Sequence, residues 1–384
     1  MSGAKSKVRK QAQALLEWFA RQARDLPWRR TQDPYAIWVS EIMLQQTQVK
    51  TVIPYWERWM KALPNLPALA REDPDRLHKL WEGLGYYSRV RNLQKAARRI
   101  MEKHHGVFPE VFEQVLDLPG IGRYTAGAIC SIAFNQPRPV LDGNVIRVLT
   151  RVHGLDGDPK EKTLNHQLWR LAGEWVLSAV GRHGKLNEAL MELGALVCLP
   201  RDPLCKACPL HHSCVARREK RVAVLPGIPR RPASTPRCFV AFVVQRKGRF
   251  LVVQRPPDVV NGNLWEFPNR ELKPGNLNLL TSAASGPVPT PVPGLHTAAK
   301  SLGIRLKALT PLCTIKHSIT RYRITLHAFE THAASIDGDL ATRGKWFTLI
   351  GMQKIPFASA HRKIHSAVLK MVPEEGIEPP TKGL

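Results

Sequence analysis

Long apolar runs are missing from this chain of 384 residues: no stretch could span a bilayer, and the basic start Met1-Ser2-Gly3-Ala4-Lys5 leads into no apolar signal core. A soluble, intracellular protein is expected. Acidic side chains are also scarce. The 31 Asp and Glu stand against 57 Lys and Arg, which leaves a formal charge of +26. Such a field attracts polyanions, nucleic acid foremost. A solubilising surface or charged tail would be the plainer explanation, but the charge is spread along the whole chain. Cysteines are too few and too uneven for a disulfide framework. Of seven, four crowd between Cys198 and Cys214, while Cys130, Cys238 and Cys313 stand alone. This favours a reducing compartment and a metal site, with the lone three as packing residues. No internal repeat is visible.

What is present has the composition of a globular protein, at 43% hydrophobic residues, and the length allows two or three cores. Residues 8–215 read as mostly helical. Leu15, Leu16 and Phe19, then Ile37, Trp38, Ile42 and Met43, and later Leu186, Leu190 and Leu193 recur at helical spacing. After Cys214 a run with Arg217, Arg218, Pro226, Pro229, Arg230 and Pro232 reads as a solvated linker that could also touch phosphate. The period then switches to strands. Residues 239–244, a Lys247-Gly248 turn and residues 250–253 read as a hairpin, with further strands at 322–329 and 345–347 and a Ser/Gly/Pro loop at 282–293. The expected fold is multi-domain: a mainly α unit over 1–216, a basic Pro-rich linker over 217–236, an α+β unit over 237–372 and a tail over 373–384.

The sharpest motif is Cys198-x6-Cys205-x2-Cys208-x5-Cys214. Four thiolates in one short loop can close around a single inorganic centre, and the set alone permits zinc or a [4Fe–4S] cluster. The unequal spacings, with Pro203 and Pro209 beside the ligands, do not match the paired layout of common zinc ribbons.

Leu118-Pro119-Gly120-Ile121-Gly122-Arg123-Tyr124-Thr125-Ala126 is a helix-hairpin-helix pattern. Gly120 and Gly122 would let backbone N–H groups approach a phosphate, although glycines at a turn are often merely structural. Such a grip positions DNA without reading sequence.

Two carboxylates stand on separate segments. Glu41 is flanked by Ile42, Met43 and Leu44, so burial should raise its pKa and keep a proton on it. Asp142, before a helical run, would make a good N-cap. As a pair, an acid and a carboxylate suit cleavage at an anomeric carbon. Trp28, Gln45, Gln46, Tyr86 and Tyr87 lie near polar turns, where planar groups could fill the gap left by an extruded base; at such spacings aromatics are more often core.

Together these motifs resemble adenine DNA glycosylases of the MutY kind, in the endonuclease III superfamily. The most specific pieces are residues 40–48 (SEIMLQQTQ), 81–89 (WEGLGYYSR), 141–145 (LDGNV) and the four-cysteine loop. The resemblance implies one [4Fe–4S] cluster on Cys198, Cys205, Cys208 and Cys214. It implies that Glu41 protonates adenine, that Asp142 supports the sugar cation, and that Tyr124 and Asn144 assist. It places Arg24, Leu26, Trp28, Arg29 and Glu188 around the base, and Gln46, Tyr86 and Tyr87 against DNA. The expected partner is duplex DNA with A:8-oxoguanine or A:G mispairs, bound by a monomer in a bacterial cytoplasm or nucleoid. Bifunctional relatives carry a Schiff-base lysine where this chain has Tyr124, so strand cleavage should be absent or weak.

The C-terminal half resembles the Nudix-like domain by which that family recognises 8-oxoguanine. Residues 263–268 (NLWEFP) are present, but the acidic helix that a Nudix hydrolase needs for metal is missing, with Ala-Lys-Ser-Leu-Gly at 299–303. A binding module is expected. Where many members read Phe-Ser-His, this chain has Ile319, Thr320 and Arg321; Thr320 keeps a hydroxyl for the lesion. Two rival readings are a bifunctional pyrimidine-lesion lyase and a non-catalytic DNA-binding protein with a structural zinc.

Overall fold

The computed structural model describes residues 2–229, 233–272, 293–319 and 321–371. Its packing divides the chain into two compact units, Met1–Glu72 with Arg89–Arg230, and Asp73–Ser88 with Arg231–Leu384. The excursion Asp73–Ser88 leaves no mark in the linear pattern of the sequence.

The first unit is helical: α1 (Ser2–Gln22), α2 (Pro34–Leu44), α3 (Val49–Ala62), α4 (Leu66–Arg71), then, after the excursion with α5 (Pro74–Trp81), α6 (Ser88–Lys103), α7 (Phe112–Leu116), α8 (Arg123–Ile132), α9 (Gly143–His153), α10 (Lys162–Ser178), α11 (His183–Leu196) and α12 (Val215–Arg218). Helix starts are written in Asx residues ahead of proline. Asp33 accepts the Tyr35 N–H, Asn65 the Ala68 N–H, and Asp73 those of Asp75 and Arg76, each with a proline in the first helical positions. The core gathers Leu15, Leu16 and Phe19 of α1, Val145, Val148 and Leu149 of α9, Trp175 of α10 and Leu186, Leu190 and Leu193 of α11. The periodic positions in the sequence are thus the buried ones.

The second unit holds β1 (Thr235–Arg246), β2 (Arg249–Gln254), β3 (Trp265–Glu266), β4 (Asn269–Leu272), α13 (Pro293–Ser301), β5 (Ile304–Leu306), β6 (Thr310–Ile319), β7 (Tyr322–Thr331), β8 (Ala333–Ile336), α14 (Asp339–Arg343), β9 (Gly344–Phe347), α15 (Leu349–Lys354) and α16 (Ser359–Met371). The main sheet runs β3-β2-β1-β7-β6, with β4 on β1 and β9 on β2; β1 and β7 are parallel and β6–β7 antiparallel. Alternation along β1 explains the two layers. Val240, Phe242 and Val244 face Leu295, Ala298 and Ala299 of α13, while Ala241 and Val243 face Ile364 and Val368 of α16. The Lys247-Gly248 turn takes positive φ at both residues, 48° and 69°, as a two-residue hairpin requires.

The helix in the stretch where an acidic one would be needed, α13, carries no acid, its sequence being PGLHTAAKS. The loop at 282–293 falls outside the described residues except for Pro293, which opens α13; the tail at 373–384 and Thr320 also fall outside them. Among the described residues no helix is long and apolar enough to cross a membrane.

Candidate active site and cysteine loop

Glu41 lies on α2 and is 6% exposed, between the fully apolar neighbours Ile42 and Met43 on one side and Val39 on the other. Its Oε2 accepts the Tyr124 hydroxyl at 2.8 Å. Burial pushes the carboxyl up to about 7, and Asp142 and Glu188 push the same way against the Tyr124 hydrogen bond and Arg29. The group therefore retains a proton near neutrality, poised to give it away. Burial, then the charges of Glu41 and Asp142, raise the Tyr124 phenol well above its ordinary value, so it stays a donor. The end of α2 is held by Arg89, whose Nη1 donates to the carbonyls of Ile42, Met43 and Gln45 at 2.8, 3.0 and 2.7 Å. This satisfies acceptors a helix C-terminus leaves open.

Asp142 carries out the capping role the sequence allowed, and its charge acts on Glu41 and Tyr124. Its Oδ1 accepts the Val145 N–H at 2.7 Å, and its Oδ2 the Asn144 side-chain amide at 3.0 Å. Burial raises its pKa, opposed by those hydrogen bonds. Asn144 in turn accepts from Arg147 Nη2 at 2.8 Å.

A second acid pair lies on α11, one turn apart. Glu188, 4% exposed, meets Arg29 Nε at 3.3 Å and Lys185 Nζ at 2.9 Å. Glu192, 1% exposed, takes Arg24 through Nε at 2.9 Å and Nη2 at 2.6 Å, and Arg29 Nη2 at 3.0 Å. Burial pushes Glu192 up, but the hydrogen bonds of Arg24 and Arg29 outweigh it and hold the carboxyl at about 2. Leu26 and Trp28, in the same short segment as these arginines, are buried at 5% and 6%, and Trp28 packs edge-on against Trp56 at 6.1 Å. Sequence reasoning named Glu188 and missed Glu192, Arg89 and Arg147. The Glu188-x3-Glu192 spacing on a leucine-rich helix was the available signal for the first.

The turn residues divide. Gln46 is exposed with φ 57°, and Tyr86 is 50% exposed with φ 47°. Left-handed backbone on non-glycine residues costs on the order of 1–3 kcal/mol and concentrates at functional sites. Tyr87, expected beside DNA, is instead 2% exposed; its hydroxyl accepts the Gly83 N–H at 3.3 Å and its ring tilts against His78. In the hairpin between α7 and α8, Gly120 adopts φ 79° with Asn92 so close that a Cβ would fall 2.6 Å from that side chain; Gly122 caps α8 with open space before it. Such an N-terminus with exposed N–H groups suits phosphate.

Cys198, Cys205, Cys208 and Cys214 line one cavity together with Arg151 and Arg217. Arg151 donates to the carbonyls of Leu199 and Pro200 at 2.7 and 3.2 Å and reaches Cys198 Sγ at 3.5 Å; Arg147 Nε donates to the Cys198 carbonyl at 2.6 Å. Burial pushes the Cys208 thiol up to about 12 and raises Cys214 as well, so holding these sulfurs as thiolates needs a positive centre. Among the described residues no three His, Cys, Asp or Glu converge tightly enough for a single metal ion. Four thiols lining one cavity make a donor set that suits an inorganic centre, zinc or iron–sulfur.

Residues 39–174 match the HhH-GPD superfamily of base excision DNA repair proteins, and residues 239–367 match the NUDIX domain. The adenine DNA glycosylase of Buchnera aphidicola from Schizaphis graminum is 36% identical over 263 residues, covering 68% of this chain and 75% of the relative. The chain belongs to the adenine DNA glycosylase family. The rat adenine DNA glycosylase is 41% identical over 312 residues, with 68% of this chain and 60% of that protein covered, so the chain spans about three fifths of the length of the mammalian glycosylases it matches. The structure of a thermostable thymine-DNA glycosylase is 30% identical, with a TM-score of 0.52 over 56% of this chain and 99% of its own.

Proposed function

We propose that the chain hydrolyses the N-glycosidic bond of adenine mispaired with 8-oxoguanine or guanine in duplex DNA, without cutting the strand. The observation that carries this is Glu41: a carboxyl kept protonated to about pH 7 by burial, bonded to Tyr124, in one site with the ionisable Asp142. Adenine departs poorly as an anion, so the proton from Glu41 Oε lowers the barrier at the base. Asp142, its oxygens fixed by Val145 N–H and Asn144, supports the cation that develops on the sugar. Tyr124 holds the carboxyl of Glu41 in one orientation and offers no amine for an imine, which leaves water as the nucleophile. Arg29, paired with Glu188 and Glu192, and the buried Leu26 and Trp28 shape the base pocket, with Arg24 fixing Glu192.

Gly120 and Gly122 grip backbone phosphate, while Gln46 and Tyr86 fill the space the extruded adenine leaves. Cys198, Cys205, Cys208 and Cys214 would hold one [4Fe–4S] cluster. When bound, that group supplies a rigid anchor for the loop carrying Arg201, Lys206, Arg217 and Arg218, and takes no part in bond cleavage. Residues 1–216 act as the glycosylase domain, 217–236 as linker and 237–372 as the module that reads the opposite base through residues 317–321.

The test is a single-turnover assay on A:8-oxoguanine, A:G, G:T and oxidised-pyrimidine duplexes, each with borohydride trapping. Adenine release from the first two without a trapped adduct is expected. Faster action on thymine or pyrimidine lesions, or a trapped covalent complex, would overturn the reading.

A further inference from the structure

The excursion Asp73–Ser88 packs with Arg231–Leu384, and the carboxylate of Glu82 bonds across between the two stretches. Glu82 is 5% exposed. Its Oε1 accepts the backbone N–H of Phe357 at 2.9 Å, and its Oε2 faces Lys79 Nζ at 2.8 Å and Arg362 Nη1 at 3.7 Å. The partners are themselves tied across: Lys79 donates to the Ile355 carbonyl at 3.2 Å, and Arg362 to the Glu82 carbonyl at 3.4 Å. Phe357 is a firm anchor, 1% exposed and stacked on Phe267 and His365 at 5.7 and 5.6 Å.

Directly after Glu82 the backbone turns left-handed at Gly83, Gly85 and Tyr86, with φ of 106°, 71° and 47°. Trp81 Nε1 closes the turn on the Gly85 carbonyl at 3.1 Å. A half-exposed tyrosine persists in that backbone region only where its surroundings over-determine it. Glu82 supplies the surroundings at the turn's first residue. Without it the Phe357 N–H loses its acceptor, and Lys79 and Arg362 face each other as like charges.

We propose that Glu82 is a positioning residue that locks the Tyr86 turn to the Nudix-like unit. The module that reads the base opposite adenine then also holds the aromatic that enters the duplex. For the role of Tyr86 at DNA this rests on the adenine glycosylase reading; the lock itself does not.

Hydrogen exchange on the free, full-length protein reads the lock directly. In Glu82→Ala, amides of 79–88 and 355–362 should exchange faster together, by about tenfold, as expected when a buried N–H loses its partner. Amides of α2 and α9 should match wild type. Glu82→Gln keeps the acceptor for Phe357 N–H and should recover most of the protection. On an A:8-oxoguanine duplex, Glu82→Ala should weaken binding about tenfold with the single-turnover rate at saturating enzyme within about twofold of wild type. Unchanged exchange at 83–88, or loosening that spreads equally to α2 and α9 in both variants, would overturn the proposal. Should wild type release no adenine, the functional reading fails, while the exchange data still decide the role of Glu82.

Discussion

Tyr124 Oη lies 2.8 Å from Glu41 Oε2, and each group fixes where the other keeps its proton. The phenol is held well above its ordinary pKa, so it donates throughout the working range; the carboxyl, at about 7, carries the mobile proton. As the proposed general acid, Glu41 must be protonated to work, so the single-turnover rate should fall as pH rises through about 7. In Tyr124→Phe the carboxylate loses a donor that favours its charged form, which moves the alkaline limb to higher pH. Glu41→Gln should bind mismatched duplex and release no adenine. A flat rate between pH 6 and 9 in wild type, or turnover by Glu41→Gln, would remove Glu41 from the chemistry.

Glu192 makes a stability claim of opposite sign. Its folded pKa, about 2, lies below the ordinary 4.5, so the unfolded chain binds the proton more readily. The contribution is complete above about pH 4.5 and disappears as pH falls toward 2; its size is about 3 kcal/mol. Urea unfolding at pH 7 should show Glu192→Gln less stable by that order, since Arg24 and Arg29 lose their partner. The gap between variant and wild type should narrow at pH 3.

The two hairpin glycines should separate folding from DNA grip. Gly120→Ala puts a side chain at φ 79° and 2.6 Å from Asn92, which should destabilise the protein by about 1–3 kcal/mol. Gly122 has an extended φ of −98° and nothing within 4 Å of an added Cβ. Gly122→Ala should melt like wild type yet bind duplex more weakly, because the methyl occupies room a phosphate would take. Equal melting and equal binding in Gly122→Ala would argue that the hairpin does not touch DNA.

The cysteine loop predicts colour. Protein purified under nitrogen should be brown, with about four irons per chain and a visible charge-transfer band. Cys205→Ser should lose the band and bind duplex at least tenfold more weakly, with the affinity of wild type falling steeply with salt. One zinc and no iron in wild type would contradict the cluster.

Much of this site could be read from the sequence because its chemistry is local. Apolar flanks around Glu41 announce its burial, and Pro-Gly-Ile-Gly announces the hairpin. The continuous apolar run of residues 239–244 announces a strand buried on both faces. What stayed hidden depends on partners distant in the chain. Glu192 reads as one more helical acid until Arg24 and Arg29, more than 160 residues earlier, close on it. Tyr86 and Tyr87 are adjacent and alike in the sequence, and only a left-handed turn at the first sends one ring outward and the other into a core. Glu82 looks like a surface acid on a helix end, because its acceptor role is set by Phe357, some 270 residues away.

The double duty of Asp142 shapes what mutation can do there. Nearly any replacement removes a helix cap and the counter-charge proposed for the sugar at one stroke, so a damaged allele would confound misfolding with lost chemistry. Asparagine and serine divide them: either side-chain oxygen can still receive the Val145 N–H, as good N-caps do, while its neutrality would leave the proposed sugar cation without a counter-charge. Variants at this codon therefore speak about catalysis by itself only where the replacement still caps the helix.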